Sequence, residues 1–146
     1  MKTLKTLVYT VALATAGLSS TAFAADEVEK VTVTSSVEVA YQCGQDKQAM
    51  RVTYGLNGSD IVAAQVLFRE QASPLLSYYP EFTGQNAFID QDSGTTWITA
   101  KANASNLAKV NGVSLSQRVV VNGKPQAQTV AQNCRLDKAA TAKLNK

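Results

Sequence analysis

Histidine is absent from this 146-residue chain, and only two cysteines are present. The absence of histidine excludes Ser-His-Asp and Cys-His catalysis and every zinc site with a histidine ligand. After residue 24, no apolar run reaches about 18 residues, so that part of the chain has no predicted transmembrane helix. With 17% charged and 45% hydrophobic residues, a wholly disordered or collagen-like chain is also disfavoured. The composition favours one small domain, a secreted or periplasmic binding module.

The amino-terminal part of the chain is typical of a secretory signal peptide, predicted over residues 1–24. Two lysines precede a short apolar stretch, and Ala22-Phe23-Ala24 matches the small-x-small pattern of a signal-peptidase site. Cleavage near Ala24 would leave a domain over residues 25–138 and a basic tail over residues 139–146. The residue directly after Ala24 is not a cysteine, so we expect no lipid anchor of the bacterial lipoprotein type. We expect a periplasmic, secreted or outer-membrane-associated protein.

The two cysteines, Cys43 and Cys134, lie 91 residues apart. In an oxidising compartment an even count of two permits one structural disulfide, which we expect between them. A redox-active or metal-binding pair would need a Cys-x-x-Cys spacing or further ligands, and neither is present.

Apolar residues alternate with polar ones along several stretches, which is the pattern of half-buried β-strands. The predicted inward positions are Val31, Val33, Val37, Val39, Tyr41 and Cys43; Met50, Val52, Tyr54 and Leu56; Val62, Ala64, Val66 and Phe68; and Val113, Leu115, Val119 and Val121. Three Asn-Gly pairs, at residues 57–58, 111–112 and 122–123, are typical of type I′ hairpin turns. These signals indicate an all-β barrel or sandwich. We expect a small antiparallel barrel of about eight strands, because closure leaves no exposed edge.

Residues 70–100 form an acidic aromatic segment that contains neither lysine nor arginine. It carries four acidic side chains and five aromatic ones, with prolines and glycines that indicate loops. Such a segment suits docking onto a basic protein surface, where charge speeds encounter and rings provide anchoring area. The alternative is that the rings fill the core and the acids form a solvated rim. The basic tail has no interleaved aromatics, so we expect a solvated end and no nucleic-acid partner.

Paired carboxylates at Asp90 and Asp92 are the one arrangement in the sequence that suggests acid–base chemistry. Together with Glu81 they also suggest an oxygen-ligand calcium site, but the spacing of an EF-hand loop is missing. An Asp-x-Asp-Ser-Gly run also describes an ordinary turn. We therefore expect no enzyme activity, no catalytic residue, no metal site and no cofactor.

Tyr41-Gln42-Cys43, followed by the run from Met50 to Gly55, resembles the Tyr-x-Cys…Val-x-Tyr opening of the periplasmic and membrane-bound inhibitors of C-type lysozyme. It is closer to the adhesin complex protein family of small exported bacterial proteins. In that family the opening runs Tyr-x-Cys…Val-Thr-Tyr-Gly, and the second cysteine lies near the carboxyl end, as Cys134 does. The segment around Trp97 also resembles the tryptophan-containing strand of the inhibitors. The resemblance covers roughly residues 37–136.

The resemblance implies a disulfide-bonded antiparallel barrel that binds host C-type lysozyme and blocks its cleft, which protects peptidoglycan. In the inhibitors a Ser-Gly-x-x-Tyr loop enters the cleft, and its serine bonds the catalytic carboxylates. The two matching places here are Ser93-Gly94 with Trp97, and Thr83-Gly84 with Phe88. The predicted lysozyme-binding residues are Tyr79, Glu81, Thr83, Gly84, Asp90, Asp92, Ser93, Gly94 and Trp97. Three alternatives stay open: a plain hairpin turn at Ser93-Gly94, an adhesin that binds host-cell surface molecules, and a periplasmic enzyme or small-ligand carrier. The last would require a deep pocket with convergent carboxylates, of which the sequence shows no sign.

Overall fold

Ten antiparallel strands make up most of residues 31–145, the part of the chain that the computed structural model describes. The predicted signal peptide lies outside these residues. The strands are β1 (Ser35–Cys43), β2 (Gln48–Asn57), β3 (Asp60–Phe68), β4 (Gln71–Ala72), β5 (Leu76–Tyr79), β6 (Gln85–Asp90), β7 (Thr95–Ala100), β8 (Gly112–Val121), β9 (Lys124–Gln132) and β10 (Cys134–Leu136). A 3-10 helix spans Leu107–Lys109 and an α-helix, α1, spans Lys138–Leu144.

The strands form a nearly closed barrel in the order β10-β1-β2-β3-β5-β6-β7-β8-β9, with β4 paired to β3. Closure depends on Asn133, the single residue between β9 and β10, which has a φ of 54°. The chain leaves β8 there and pairs with β1, so that Cys134 lies opposite Cys43 and forms the disulfide. The predicted all-β barrel and its disulfide are confirmed. Eight of the ten strands have four or more residues.

The alternating pattern locates the barrel interior correctly in β1 and β2, where the predicted inward residues from Val39 to Leu56 are buried. In β3 a bulge opposite Gly55 and Leu56 pairs Leu56 with Ile61 instead of Val62. Ile61 is therefore buried, and Val62 is not an inward residue, contrary to the prediction. A β-bulge inserts one residue and so exchanges the faces of the strand beyond it.

The ends of β8 and β9 extend beyond the barrel wall as a two-stranded ribbon, residues 117–128, which we call the arm. The pairing of β8 with β7 ends at Ser116, whereas the β8–β9 ladder continues to Val121 and Lys124. Val121 is 40% exposed and Val120 is 70% exposed. The predicted inward position at Val121 is therefore wrong, because no barrel strand lies beneath this part of β8.

Two of the three Asn-Gly pairs lie at hairpin turns, and the third does not. Asn122 and Gly123 both have positive φ between β8 and β9, as a type I′ turn requires. Between β2 and β3 the central residues are Gly58 and Ser59, because Asn57 itself pairs with Asp60. Gly112 begins β8 and faces the Trp97 ring, where a Cβ atom would lie 2.5 Å from Cη2.

The end of the described chain packs against the barrel through α1. Asp137 caps the helix by accepting a hydrogen bond from the Ala140 backbone N–H at 3.1 Å. Thr141 is buried, and its Oγ1 accepts a hydrogen bond from the backbone N–H of Ala40 in β1 at 2.9 Å. The helix therefore covers the outer side of β1. Within residues 31–145, no helix has the length and hydropathy that crossing a membrane needs.

Candidate partner-binding surface

The predicted binding residues divide between two turns at opposite ends of strand β6. The β5–β6 turn (residues 80–84) precedes β6, and the β6–β7 turn (residues 91–94) follows it. Six strand residues separate the turns by about 20 Å. The structure therefore does not bring the predicted residues together. Tyr79, Glu81, Thr83 and Gly84 lie at one end of the barrel, and Asp90, Asp92, Ser93 and Gly94 lie at the other.

The β6–β7 turn is held by hydrogen bonds that use the Ser93 hydroxyl. Ser93 Oγ donates to Asp90 Oδ2 at 2.7 Å and lies 2.8 Å from Thr95 Oγ1. The Ser93 backbone N–H also donates to Asp90 Oδ2, at 3.1 Å. Entry of this hydroxyl into the cleft of another protein would break these bonds. The geometry favours a structural hairpin turn at Ser93-Gly94.

The arm covers the same turn from its other side. Arg118 donates hydrogen bonds to the carbonyl oxygens of Gln91, at 3.1 Å, and Asp92, at 3.2 Å. Gly94 has a φ of 74°, and a Cβ atom there would lie 2.5 Å from Arg118 Cβ. Glycine is thus required at this position both for the backbone conformation and for the close approach of the arginine. The guanidinium also places a positive charge beside the turn, which offsets the negative charge of its aspartates.

The β5–β6 turn is exposed and its side chains are available for contact. Tyr79, the last residue of β5, is 39% exposed and Phe82 in the turn is 37% exposed, so two aromatic rings are presented at this end of the barrel. Tyr79 donates its hydroxyl hydrogen to Glu81 Oε1 at 3.2 Å. Among residues 31–145, the hydroxyl of Thr83 has no hydrogen-bond partner. Gly84 has a φ of 83°, and a Cβ atom there would meet nothing within 4 Å, so the turn is uncrowded.

Trp97 is a core residue, and its predicted place on a binding surface is corrected by the structure. The side chain is fully buried, and Nε1 donates to the Tyr54 hydroxyl at 2.8 Å. The Tyr54 hydroxyl lies 2.6 Å from that of Tyr41. Phe88 is buried as well, with its ring 5.4 Å from those of Tyr54 and Tyr78. Trp97, Tyr54, Tyr41 and Phe88 fill the barrel interior and have no surface for a partner.

The two tyrosines of the Tyr-x-Cys…Val-x-Tyr opening are held neutral by their surroundings. Burial raises the pKa of the Tyr41 and Tyr54 hydroxyls, because a phenolate is poorly solvated inside the barrel. In Tyr54 the neighbouring Tyr41 raises the pKa further, and the bond from Trp97 lowers it by a smaller amount. The motif that carries the family resemblance therefore builds the core and not the binding surface.

A calcium site shared by Glu81, Asp90 and Asp92 does not fit the geometry, because Glu81 lies at the far end of β6. Over the described residues 31–145, no three acidic or cysteine side chains are grouped as metal ligands would be.

Two residues of these surfaces, Phe82 and Arg118, are not among the predicted lysozyme-binding residues, although Phe82 belongs to the acidic aromatic segment. Phe82 belongs to the exposed β5–β6 turn, and its position between Pro80 and Gly84 was a usable signal for an aromatic in a loop. Arg118 lies on the β6–β7 turn but is distant from it in sequence, so no local pattern could have indicated the contact.

Comparison with known proteins identifies the family of the chain. No curated protein matches the chain. A family model for the ACP-like domain (Nm-ACP), that of the adhesin complex proteins, matches residues 37–136. The match extends from β1 to β10 and includes both cysteines and both turns of β6. It covers more than half of the chain, and the chain therefore belongs to the adhesin complex protein family of ACP-like domains.

Proposed function

We propose that the protein binds host C-type lysozyme, without turnover, through the β5–β6 turn and thereby blocks the active-site cleft. The observation that carries this proposal is the contrast between the two turns of β6. The Thr83 hydroxyl is exposed and unpartnered among the described residues 31–145, whereas the Ser93 hydroxyl is engaged within its own turn. The resemblance to the lysozyme inhibitors supplies the partner, and family membership is consistent with it.

The chemistry of the β5–β6 turn suits a cleft that contains an acid pair. A short hydroxyl side chain next to a glycine reaches a recessed carboxylate without steric hindrance and donates a hydrogen bond to it. Tyr79 and Phe82 provide rigid apolar area beside the hydroxyl, which is the composition of interface anchors. Glu81 adds a negative charge, which favours encounter with a cationic enzyme.

An exported location fits this function. The Cys43–Cys134 disulfide is stable in the periplasm and outside the cell, and such bonds are rare in the cytosol. A lysozyme inhibitor acts where the enzyme reaches peptidoglycan. We therefore propose that the protein works in the periplasm or at the outer surface.

The decisive experiment is a muramidase assay with the purified protein against C-type and G-type lysozymes. We expect inhibition of the C-type enzyme at stoichiometric protein. Thr83→Ala should weaken inhibition about tenfold or more, which corresponds to one lost hydrogen bond to a charged group. Ser93→Ala is the matched control: it removes the same hydroxyl from the other turn and should leave inhibition close to that of the wild type.

Two results would contradict the proposal. Full lysozyme activity at stoichiometric protein would exclude inhibition altogether. Inhibition that is weakened by Ser93→Ala but not by Thr83→Ala would assign the contact to the β6–β7 turn instead.

Adhesion to host-cell molecules is the second candidate, and the family name and the exposed arm support it. Val120 is 70% exposed and Val121 is 40% exposed near the tip of a ribbon that extends beyond the barrel, and the two side chains give the arm apolar area for contact with a partner. Labelled protein that binds host cells, with binding lost in Val120→Ser and lysozyme activity untouched, would favour adhesion over inhibition.

A further inference from the structure

The barrel interior opens at the end opposite to the β5–β6 turn, where two adjoining hollows form a mouth. One has a volume of about 210 Å³ and an apolar floor of Val66, Phe68 and Leu115. The other, of about 220 Å³, extends towards Gly44. Phe68, Arg69 and Val130 line both hollows, so Arg69 lies at the boundary between the two, which we call the rim. Polar side chains, among them Gln71, Ser73 and Gln117, surround this apolar floor, and concave sites that combine an apolar floor with polar groups are common places for small ligands.

The guanidinium of Arg69 is positioned on this rim with one side left open. Its Nε donates to Gln48 Oε1 at 2.9 Å, and its Cζ lies 4.9 Å from the centroid of the Phe68 ring. Among residues 31–145, the two Nη atoms have no hydrogen-bond partner. An arginine held at Nε and by stacking, with both terminal nitrogens free, is preorganised to bind a carboxylate through two parallel bonds.

The turn that presents Arg69 is built from residues that disfavour its conformation. Phe68 pairs with Gln71, so Arg69 and Glu70 are the two central residues, with φ of 55° and 65°. Positive φ at both positions strongly favours asparagine and glycine, as at Asn122-Gly123 in this same chain. Nothing in residues 31–145 bonds the Glu70 side chain. Backbone strain of this kind is concentrated at functional positions.

We propose that the barrel mouth binds a carboxylate attached to a small apolar group, with the carboxylate on the Nη atoms of Arg69 and the apolar group against Phe68 and Leu115. The smaller hollow has room for about seven water-sized groups, which is enough for a short acyl chain or one leucine side chain. Asp46 lines the second hollow, so a single negative charge is preferred over two. The shared chemistry fits both a short fatty acid and the carboxyl terminus of a peptide.

The test is a titration of the isotope-labelled protein followed by amide chemical shifts, with hexanoate and N-acetyl-leucine as the probes and N-acetyl-leucinamide as the uncharged control. We expect saturable shifts at residues 68–73 and at Val130 with at least one carboxylate, and none with the amide. Binding by hexanoate alone would indicate a fatty acid, and binding by N-acetyl-leucine a peptide terminus. Shifts with neither carboxylate, or equal shifts with the amide, would overturn the proposal.

Two variants test the role of Arg69 itself. Arg69→Gln should raise the dissociation constant about tenfold or more, whereas Arg51→Gln, which removes an exposed arginine from the outside of β2, should not change it. The double variant Arg69→Asn/Glu70→Gly should raise the melting temperature by about 3–6 °C, because the strain is relieved, and abolish binding. Carboxylate binding that survives in the double variant would overturn the assignment of Arg69. Arg69→Gln and the double variant should both still inhibit lysozyme. The outcome of this test is therefore independent of the proposed function.

Discussion

The hydroxyl of Tyr54 connects the largest side chains of the barrel core. It accepts a hydrogen bond from Trp97 and exchanges one with Tyr41, so that three buried polar groups satisfy one another. A buried polar group left without a partner is costly, because it loses its hydrogen bond to water on folding. Tyr54 is the only one of the three that bonds both others, and its removal leaves two groups unsatisfied.

We predict that Tyr54→Phe lowers the free energy of unfolding by about 2–4 kcal/mol, because it leaves the Trp97 N–H and the Tyr41 hydroxyl without a partner. Tyr41→Phe should lower the free energy of unfolding by a smaller amount, since Trp97 keeps its acceptor. Urea unfolding with an unchanged m value measures both, and Tyr79→Phe, at an exposed hydroxyl, serves as the control. A larger loss in Tyr41→Phe than in Tyr54→Phe would contradict the central place of Tyr54.

The same two tyrosines predict a loss of stability in alkali. Their folded pKa values are raised above the ordinary value of 10.0, so above that pH the unfolded chain releases protons that the folded barrel retains. The two neutral tyrosines contribute their full share to the free energy of unfolding below pH 10, and this share falls as the pH rises further. For each tyrosine, the fall in the free energy of unfolding approaches about 1.4 kcal/mol per pH unit. Measured by urea unfolding between about pH 8 and 11, the free energy of unfolding should decline less steeply with pH in Tyr41→Phe than in the wild type. An equally steep decline in the two proteins would contradict the prediction.

The two hairpin turns of β6 look alike in sequence and differ in what packs against them. Each has a hydroxyl residue followed by a glycine at positive φ. Only Gly94 meets another part of the chain, the Arg118 side chain of the arm, whereas Gly84 faces open space. The acidic aromatic segment therefore does not form one acidic face. Its charges are separated by the length of β6, and those of the β6–β7 turn are offset by an arginine.

We predict that charge reversal at the two turns has different effects on association with C-type lysozyme. Glu81→Lys should slow association several-fold at low salt, and the effect should fade as ionic strength rises. Asp92→Lys, the matched control at the other turn, should change the association rate much less. Association rates from surface plasmon resonance at two salt concentrations measure the difference. Equal slowing by both variants would show that the whole segment attracts the enzyme.

At the scale of the molecule, the barrel is closed by chain segments that are distant in sequence. β10 pairs with β1 directly after the backbone turns at Asn133, and the disulfide joins these two strands across 91 residues. On the same side, α1 packs against β1 through Thr141. The first and last strands of the described domain therefore hold each other in place.

We predict that the double variant Cys43→Ala/Cys134→Ala loses about 2–5 kcal/mol of stability, because the unfolded chain is no longer restricted by the long closed loop. The wild type unfolded in the presence of a thiol reductant should show the same loss, which separates the missing bond from the altered side chains. A loss below about 1 kcal/mol in both would indicate that β10 and α1 close the barrel without the bond.

Local patterns were sufficient for the class of fold, the disulfide, the inward residues of β1 and β2 and the turn at Asn122-Gly123, because side-chain alternation and turn preferences act between near neighbours. The prediction that Val62 points inward is wrong because the bulge in β3 depends on the partner strand β2. The prediction for Val121 is wrong because the barrel wall ends before that residue. Trp97 matched a surface motif by spacing alone, yet barrel closure buried it against Tyr54. Only the tertiary structure decided three features of the candidate sites: the unpartnered hydroxyl of Thr83, the arginine beside the aspartates of the β6–β7 turn, and the position of Arg69 at the barrel mouth. Each of them depends on residues that the fold brings together from distant parts of the chain.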